Sequence, residues 1–210
     1  MEKKSNAIPT TNNAAASVHT ATMSREVMEQ KLFALSKEAK RLLADKRYAA
    51  ALIRLTEIVA DAQALRDDPK FAALQADALS WIGFLYRQRG LLDEAQGYID
   101  EAIDILETLQ ARHGNVSTSL AKVYVNKAAN LLERGKEDDA DMFYDYAVDV
   151  AEAARNEPCL LVEIYYEGAL LFNEIEYIDD ARAVLHLCDE RSERLWLKKL
   201  DHLEKKMTAR

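Results

Sequence analysis

The chain has 210 residues, 49% of them hydrophobic, which is enough apolar material to bury a sizeable core and too much for a disordered polymer. It contains only 6 Gly and 3 Pro, where average usage would supply roughly 25, so a sandwich, a barrel or a doubly wound sheet lacks its turns and a helical protein is left. The net charge of −8 is uneven: residues 133–180 hold 15 carboxylates and 3 cations between more basic flanks, and no stretch gathers the Lys and Arg that would displace phosphate counterions, which speaks against nucleic acid as a partner.

Residues 1–23, dominated by Ser, Thr, Asn and Ala with Pro9 among them, read as a flexible N-terminal tail. Lys3 and Lys4 are followed by no apolar run, so the start does not read as a secretory signal, and no stretch approaches the ~20 apolar residues of a membrane span. A cytoplasmic location is expected. From Ser24 onward apolar residues recur three and four apart, as in Tyr48, Ala51, Leu55, Ile58, Ala62 and Leu65. Leu92, Ala95, Ile99, Ala102, Leu106 and Leu109 repeat the spacing, and each set is one stripe down a helix. Asp68 and Pro69 suit a helix start, Gly90 and Gly135 suit helix–helix corners, and Asn156 to Pro158 opens a further helix. About eight helices in antiparallel pairs are predicted. Cys159 and Cys188 are too few for a disulfide framework and lie in apolar, helix-like surroundings, so they read as buried thiols.

The pairs resemble one another. Leu79, Ile82, Gly83, Tyr86, Gly90, Leu92, Ala95, Ile99 and Ala102 keep the same intervals as Tyr124, Lys127, Ala128, Leu131, Gly135, Glu137, Ala140, Tyr144 and Ala147. Leu35, Glu38, Ala39, Leu42, Lys46, Tyr48 and Ala51 match them upstream, and Tyr165, Gly168, Ala169, Phe172, Ile178, Ala181, Leu185 and Cys188 downstream. Small residues mark the closest approach of two helices in a hairpin, and large ones fill the space between hairpins. Four repeats follow, at about 24–67, 68–112, 115–155 and 157–188, together spanning 24–188. Residues 189–210 continue with Leu195, Trp196, Leu200, Leu203 and Met207 at helical spacing. That segment reads as a capping helix over the last apolar face, or as a dimerisation helix forming a short seam.

These copies resemble the tetratricopeptide repeat, carried best by Leu79, Gly83, Tyr86, Ala95 and Ala102. The period is longer than the family's usual one and is similar to that of kinesin light chain-like adaptors, which Asn126-Lys127-Ala128, Gly135, Ala140 and Tyr144 also resemble. Lys127 and Glu38 stand where that pattern has leucine. The resemblance implies an all-α protein, an α-α superhelix wound as a right-handed solenoid of about four helical hairpins plus a C-terminal capping helix. It also implies that the first helix of each hairpin lines a concave groove. Carried onto this chain, the groove positions include Phe33, Ser36, Lys37 and Lys40, then Asp77, Ser80, Trp81, Phe84 and Arg87. Lys122, Val125, Asn126, Ala129 and Leu132 follow, then Glu163, Tyr166, Glu167, Leu170 and Asn173.

Within that set Trp81, Phe84 and Arg87 are the residue types that concentrate binding energy at interfaces, although Trp81 also suits packing between hairpins. Lys37, Lys40 and Lys122 suit acidic side chains or a terminal carboxylate, or else serve solubility. Asn126 suits either a peptide backbone or a helix–helix hydrogen bond, and Tyr166 suits packing more than recognition. Some tetratricopeptide co-chaperones clamp an acidic C-terminus, but Ser80, Phe84, Tyr166 and Leu170 hold the positions where such a clamp needs Lys, Asn and Arg. No catalytic, metal or cofactor constellation is apparent. His19, His113, His186 and His202 have no recurring partner, neither Cys has a close-spaced second ligand, and paired acids such as Asp138 and Asp139 suit helix starts. The expected function is a non-enzymatic adaptor that binds a peptide or helix of another protein, as a monomer or a weak homodimer through the C-terminal helix. The alternatives are a dedicated cytoplasmic chaperone for secreted or membrane-inserting clients and a ligand-sensing regulatory domain.

Overall fold

Ser24 opens the first helix in the computed structural model, which describes residues 24–114 and 116–209; the tail read over 1–23 lies outside them. The Ser24 hydroxyl accepts the Val27 N–H at 3.4 Å, and α1 runs Arg25–Ala44. Its partner α2 spans Tyr48–Gln63. Asp68 caps α3 (Pro69–Arg87) by accepting the Lys70 N–H at 3.1 Å, with Pro69 in the first turn where no N–H is needed. Then come α4 (Leu92–His113), α5 (Ser117–Glu133), α6 (Glu137–Ala153), α7 (Leu160–Phe172) and α8 (Glu176–Ala183). A single 3-10 turn, Leu185–Leu187, leads to α9 (Glu190–Thr208). The fold is all-α: hairpins α1/α2, α3/α4, α5/α6 and α7/α8 stack in chain order as a helical-repeat superhelix, and α9 closes the end.

Corners need one residue in the left-handed region, which a Cβ disfavours. Gly90 (φ +73°) and Gly135 (φ +71°) supply it in the two middle hairpins. Lys46 (φ 56°) and Asn173 (φ 58°) do so in the outer two, so those corners carry no glycine signal. Asn173, expected in the groove, is therefore the residue that ends α7.

The small residues meet as their spacing implies. Ala51, Ala95, Ala140 and Ala181 are fully enclosed. A methyl built on Gly83 would stand 2.6 Å from Ile99 Cγ1 and 3.1 Å from the Ala95 carbonyl, so α3 and α4 approach too closely there for a side chain. Larger residues fill three apolar clusters. Leu32, Leu42, Leu55 and Ile58 join Phe71, Ile82 and Leu85 in the first. Leu79, Ile99, Leu106, Val123, Tyr144 and Ile164 lie in the second. Val162, Ile178, Leu185, Leu200 and Leu203 make the third. Each such side chain contributes roughly 1.5–3 kcal/mol on burial. Because α3 and α7 each feed two clusters, neighbouring hairpins hold one another in place.

The fourth hairpin departs from its repeat. The pattern carries the second helix to Cys188, but α8 ends at Ala183 after 8 residues. Asp189 starts α9 instead, accepting the Arg191 and Ser192 N–H groups at 3.0 and 3.1 Å; the Ser192 hydroxyl first, and then its N–H, hold the carboxyl below the usual range. The reading of two buried thiols is also corrected. Cys159 precedes α7, Cys188 ends the 3-10 turn, their Cα atoms are 5.1 Å apart, and the two sulfurs are joined in a disulfide. Neither residue sits inside a helix, and half-burial at a helix junction leaves both sulfurs free to meet.

The stripe of α9 expected either to cap or to dimerise is used within the chain. Leu200 and Leu203 are buried, with Trp196 and Met207 packed beside them on α7 and α8. Arg182 of α8 fastens the far half of α9, reaching Asp201 at 2.9 Å and Glu204 at 2.5 Å. Among the described residues, no helix is long and apolar enough to cross a membrane.

Candidate functional site

Adjacent hairpins meet mainly through the second helix of one and the first of the next, α2 on α3, α4 on α5 and α6 on α7; α3 also touches α5 and α5 touches α7, whereas no contact of similar extent joins the second helices. The first helices therefore form the inner layer. One stripe of each faces the layer's surface at four- and three-residue steps: Phe33, Lys37 and Lys40; Asp77, Trp81 and Phe84; Lys122 and Asn126, where the next member, Ala129, is buried; Glu163, Glu167 and Leu170.

Exposure separates these residues. Phe33 is 74% exposed, Leu170 47% and Trp81 42%, three large apolar side chains facing water on separate helices of the layer. Lys37, Lys40 and Lys122 are exposed as well. Phe84 is half-buried and meets Trp81 edge to face, with ring centroids 5.5 Å apart. Arg87 is turned inward: its guanidinium lies 5.5 Å from the Phe84 centroid and pairs with Glu133 on α5 at 2.5 Å. Its geometry is that of a strut between hairpins that also props Phe84 and, through it, Trp81.

Asn126 donates to the Ser80 carbonyl at 3.0 Å and its hydroxyl at 3.2 Å, the helix–helix bond that its position allowed. One turn on, Asn130 is fully buried and donates to the Leu92 carbonyl and to Gln96 Oε1. Two asparagines thus tie α5 to both helices of the preceding hairpin. Tyr166 packs on Trp196 of α9, centroids 5.6 Å apart, and Lys199 stands 3.9 Å above that indole. Trp196 and Lys199 thereby edge the inner layer beside α7. Their helical spacing is plain in the sequence, but only the return of α9 onto α7 brings them there.

Charge alternates across the layer. Asp77 lies near Lys40 of α1 and Lys122 of α5, and Lys122 pairs with Glu163 of α7 at 3.0 Å. Glu167 neighbours Glu163, Lys122, Lys199 and Arg87. Burial is the main influence on both sunken acids and pushes the Asp77 and Glu167 carboxyls upward; the Ser119 side chain and then Lys40 and Lys122 offset this in part for Asp77, and Lys122, Lys199 and Arg87 in part for Glu167. Neither acid makes an ion pair among the described residues.

No group of three or more His, Cys, Asp or Glu among the described residues is placed to hold a metal. The tyrosines with raised hydroxyls serve packing. Tyr144, desolvated in the core, donates to the Ile164 carbonyl at 3.1 Å, and Tyr124, also raised chiefly by burial, donates to Glu107 at 2.6 Å. Comparison of the chain with protein-family models, with curated proteins and with solved structures finds no match.

Proposed function

We propose that this protein is a non-enzymatic adaptor of the tetratricopeptide-repeat kind, and that its inner helical layer docks an extended or helical segment of another protein. The observation that carries the reading is the set of exposed apolar side chains, Phe33, Trp81 and Leu170, on three of the four first helices among charges of both signs. Large apolar groups left in water on a regular scaffold supply binding energy, and fixed charges of both signs set the register of what binds. Phe84 and Arg87 support Trp81 from beneath; Lys37, Lys40 and Lys122 are the cations that meet the partner. Asn126 and Tyr166 hold the helices that form the platform. The seam of α9 is occupied by its own chain, so the working form in this reading is a monomer. A cytoplasmic location and a protein partner, in preference to nucleic acid, belong to the same reading.

Selection of a random peptide library on the full chain tests it. The expected outcome is a family of peptides whose affinity falls about tenfold or more with Trp81→Ala, as for truncation of a central interface aromatic. The same peptides should bind Ile53→Ala unchanged, since Ile53 is 58% exposed on α2, outside the inner layer. Equal affinity for both variants would place recognition on another surface.

A further inference from the structure

We propose that Cys159 and Cys188 form a reversible disulfide that acts as a redox-sensitive clasp on α9. The two residues are 29 apart in sequence and enclose the whole fourth hairpin, with Cα atoms 5.1 Å apart. Cys188 immediately precedes Asp189, the cap of α9, while Cys159 immediately precedes the first residue of α7. The bond therefore joins the start of α9 to the start of α7.

Attachment of α9 is lopsided, which gives the clasp its effect. The far half is held by buried Leu200 and Leu203 and by Arg182 on Asp201 and Glu204. The near half leaves Leu195 56% and Leu197 42% exposed and rests on Trp196 against Tyr166. Apart from that ring contact and its packing against the adjoining 3-10 turn, the disulfide is its anchor among the described residues. Cys159 also lines an open depression with Thr118, Pro158, Glu163, Asp189 and Trp196, which gives a small thiol or disulfide a path to sulfur.

The chemistry balances as thiol–disulfide exchange with a low-molecular-weight disulfide such as oxidised glutathione. One protein thiolate attacks that disulfide and releases one small thiol. The second protein thiolate then displaces the other, leaving the Cys159–Cys188 bond, two small thiols and no net loss of electrons from the system. A dithiol reverses the sequence. In a reducing compartment the clasp is open, and in an oxidising one it is shut. Because Trp196 and Lys199 edge the inner layer, the clasp would set the order of that edge; this consequence alone rests on the docking role proposed above.

Hydrogen–deuterium exchange on the full chain, compared in dithiothreitol and in oxidised glutathione, tests the clasp without any ligand. Intact mass should fall by about 2 Da on oxidation, with both thiols closed to alkylation, as loss of two hydrogens requires. Amides from about residue 185 to 198 should exchange on the order of tenfold faster when reduced, while α1–α6 stay unchanged, because local opening rises when an anchor is removed. Cys188→Ser should show the fast exchange under both conditions. Equal exchange in oxidised and reduced wild type would overturn the proposal. So would mixed or intermolecular disulfides in place of the internal one, or a redox response that persists in Cys188→Ser. Failure to select any peptide on the inner layer would count against docking and leave the exchange result standing.

Discussion

At the scale of single residues, one repeat position shows how a helical stack tolerates unlike side chains. Glu38, Ile82, Lys127 and Gly168 are equivalent, and each has its own solution. Ile82 is buried in the first cluster, and Glu38 pairs with Arg54 of α2 at 3.2 Å. Lys127, almost fully buried, pairs with Asp100 of α4 and lies over the Phe143 ring. Gly168 makes room for Tyr144, since a methyl there would stand 2.0 Å from its hydroxyl oxygen. A glycine series separates close approach from helix propensity. Gly97→Ala, with nothing within 4 Å in the middle of α4, should stabilise by roughly 0.5–1 kcal/mol. Gly83→Ala should instead cost about 1–3 kcal/mol, because the enclosed Ile99 and the Ala95 carbonyl leave a methyl no room. Gly168→Ala should cost about 1–3 kcal/mol, because Tyr144 is enclosed and anchored. Urea denaturation gives the order, and a stabilising Gly168→Ala would refute the packing account. The sequence showed that small residues belong near this position, but which neighbour excludes a methyl depends on a side chain 24 positions earlier.

Among elements, the inner helices carry a cost that the outer ones do not. Asp77 and Glu167 hold charge in half-buried places, and their carboxyls are raised in the folded chain by desolvation. A raised carboxyl binds its proton more readily when folded than when unfolded, so protonation favours folding. The penalty is fully present above the folded pKa and vanishes as pH falls into the ordinary carboxylate range. Asp77→Asn and Glu167→Gln should therefore raise the melting temperature at pH 7, and the gain should shrink as the pH is lowered toward 4. Loss of stability at pH 7 would mean that attraction to Lys40 and Lys122 outweighs burial. Such a cost fits a surface kept for binding. The helices themselves were legible, because Asp68, Pro69 and the three-and-four spacing act over a few residues. The shortness of α8 was not, because Asp189 begins a new helix inside the stretch that the repeat assigns to the old one.

For the whole molecule, stability is arranged along the stack, as in any solenoid whose units contact only their neighbours. The third cluster lies at one end and draws on α7, α8 and α9. Closing a loop with ends 29 residues apart removes chain entropy worth about 3–4 kcal/mol in the polymer account. That stabilisation belongs to the terminal unit. Calorimetry of the reduced protein should show an early transition lowered by roughly 15–30 °C, with the later melting of the first two hairpins nearly unmoved. A single transition that shifts as a whole would show instead that the stack melts as one unit.

By itself the sequence determined the helical class, the four hairpins and the small residues at their closest approaches. These follow from glycine and proline scarcity and from interactions spanning a few residues, which periodicity records directly. Only the tertiary structure decided that Arg87 serves Glu133, that Asn126 serves Ser80, that Trp196 edges the inner layer and that Cys159 meets Cys188. Those partners lie between 29 and 46 residues apart, and a shift of one hairpin against the next by a single helical turn would exchange them all. That register is set by how side chains interlock across the stack, a property that no local spacing contains.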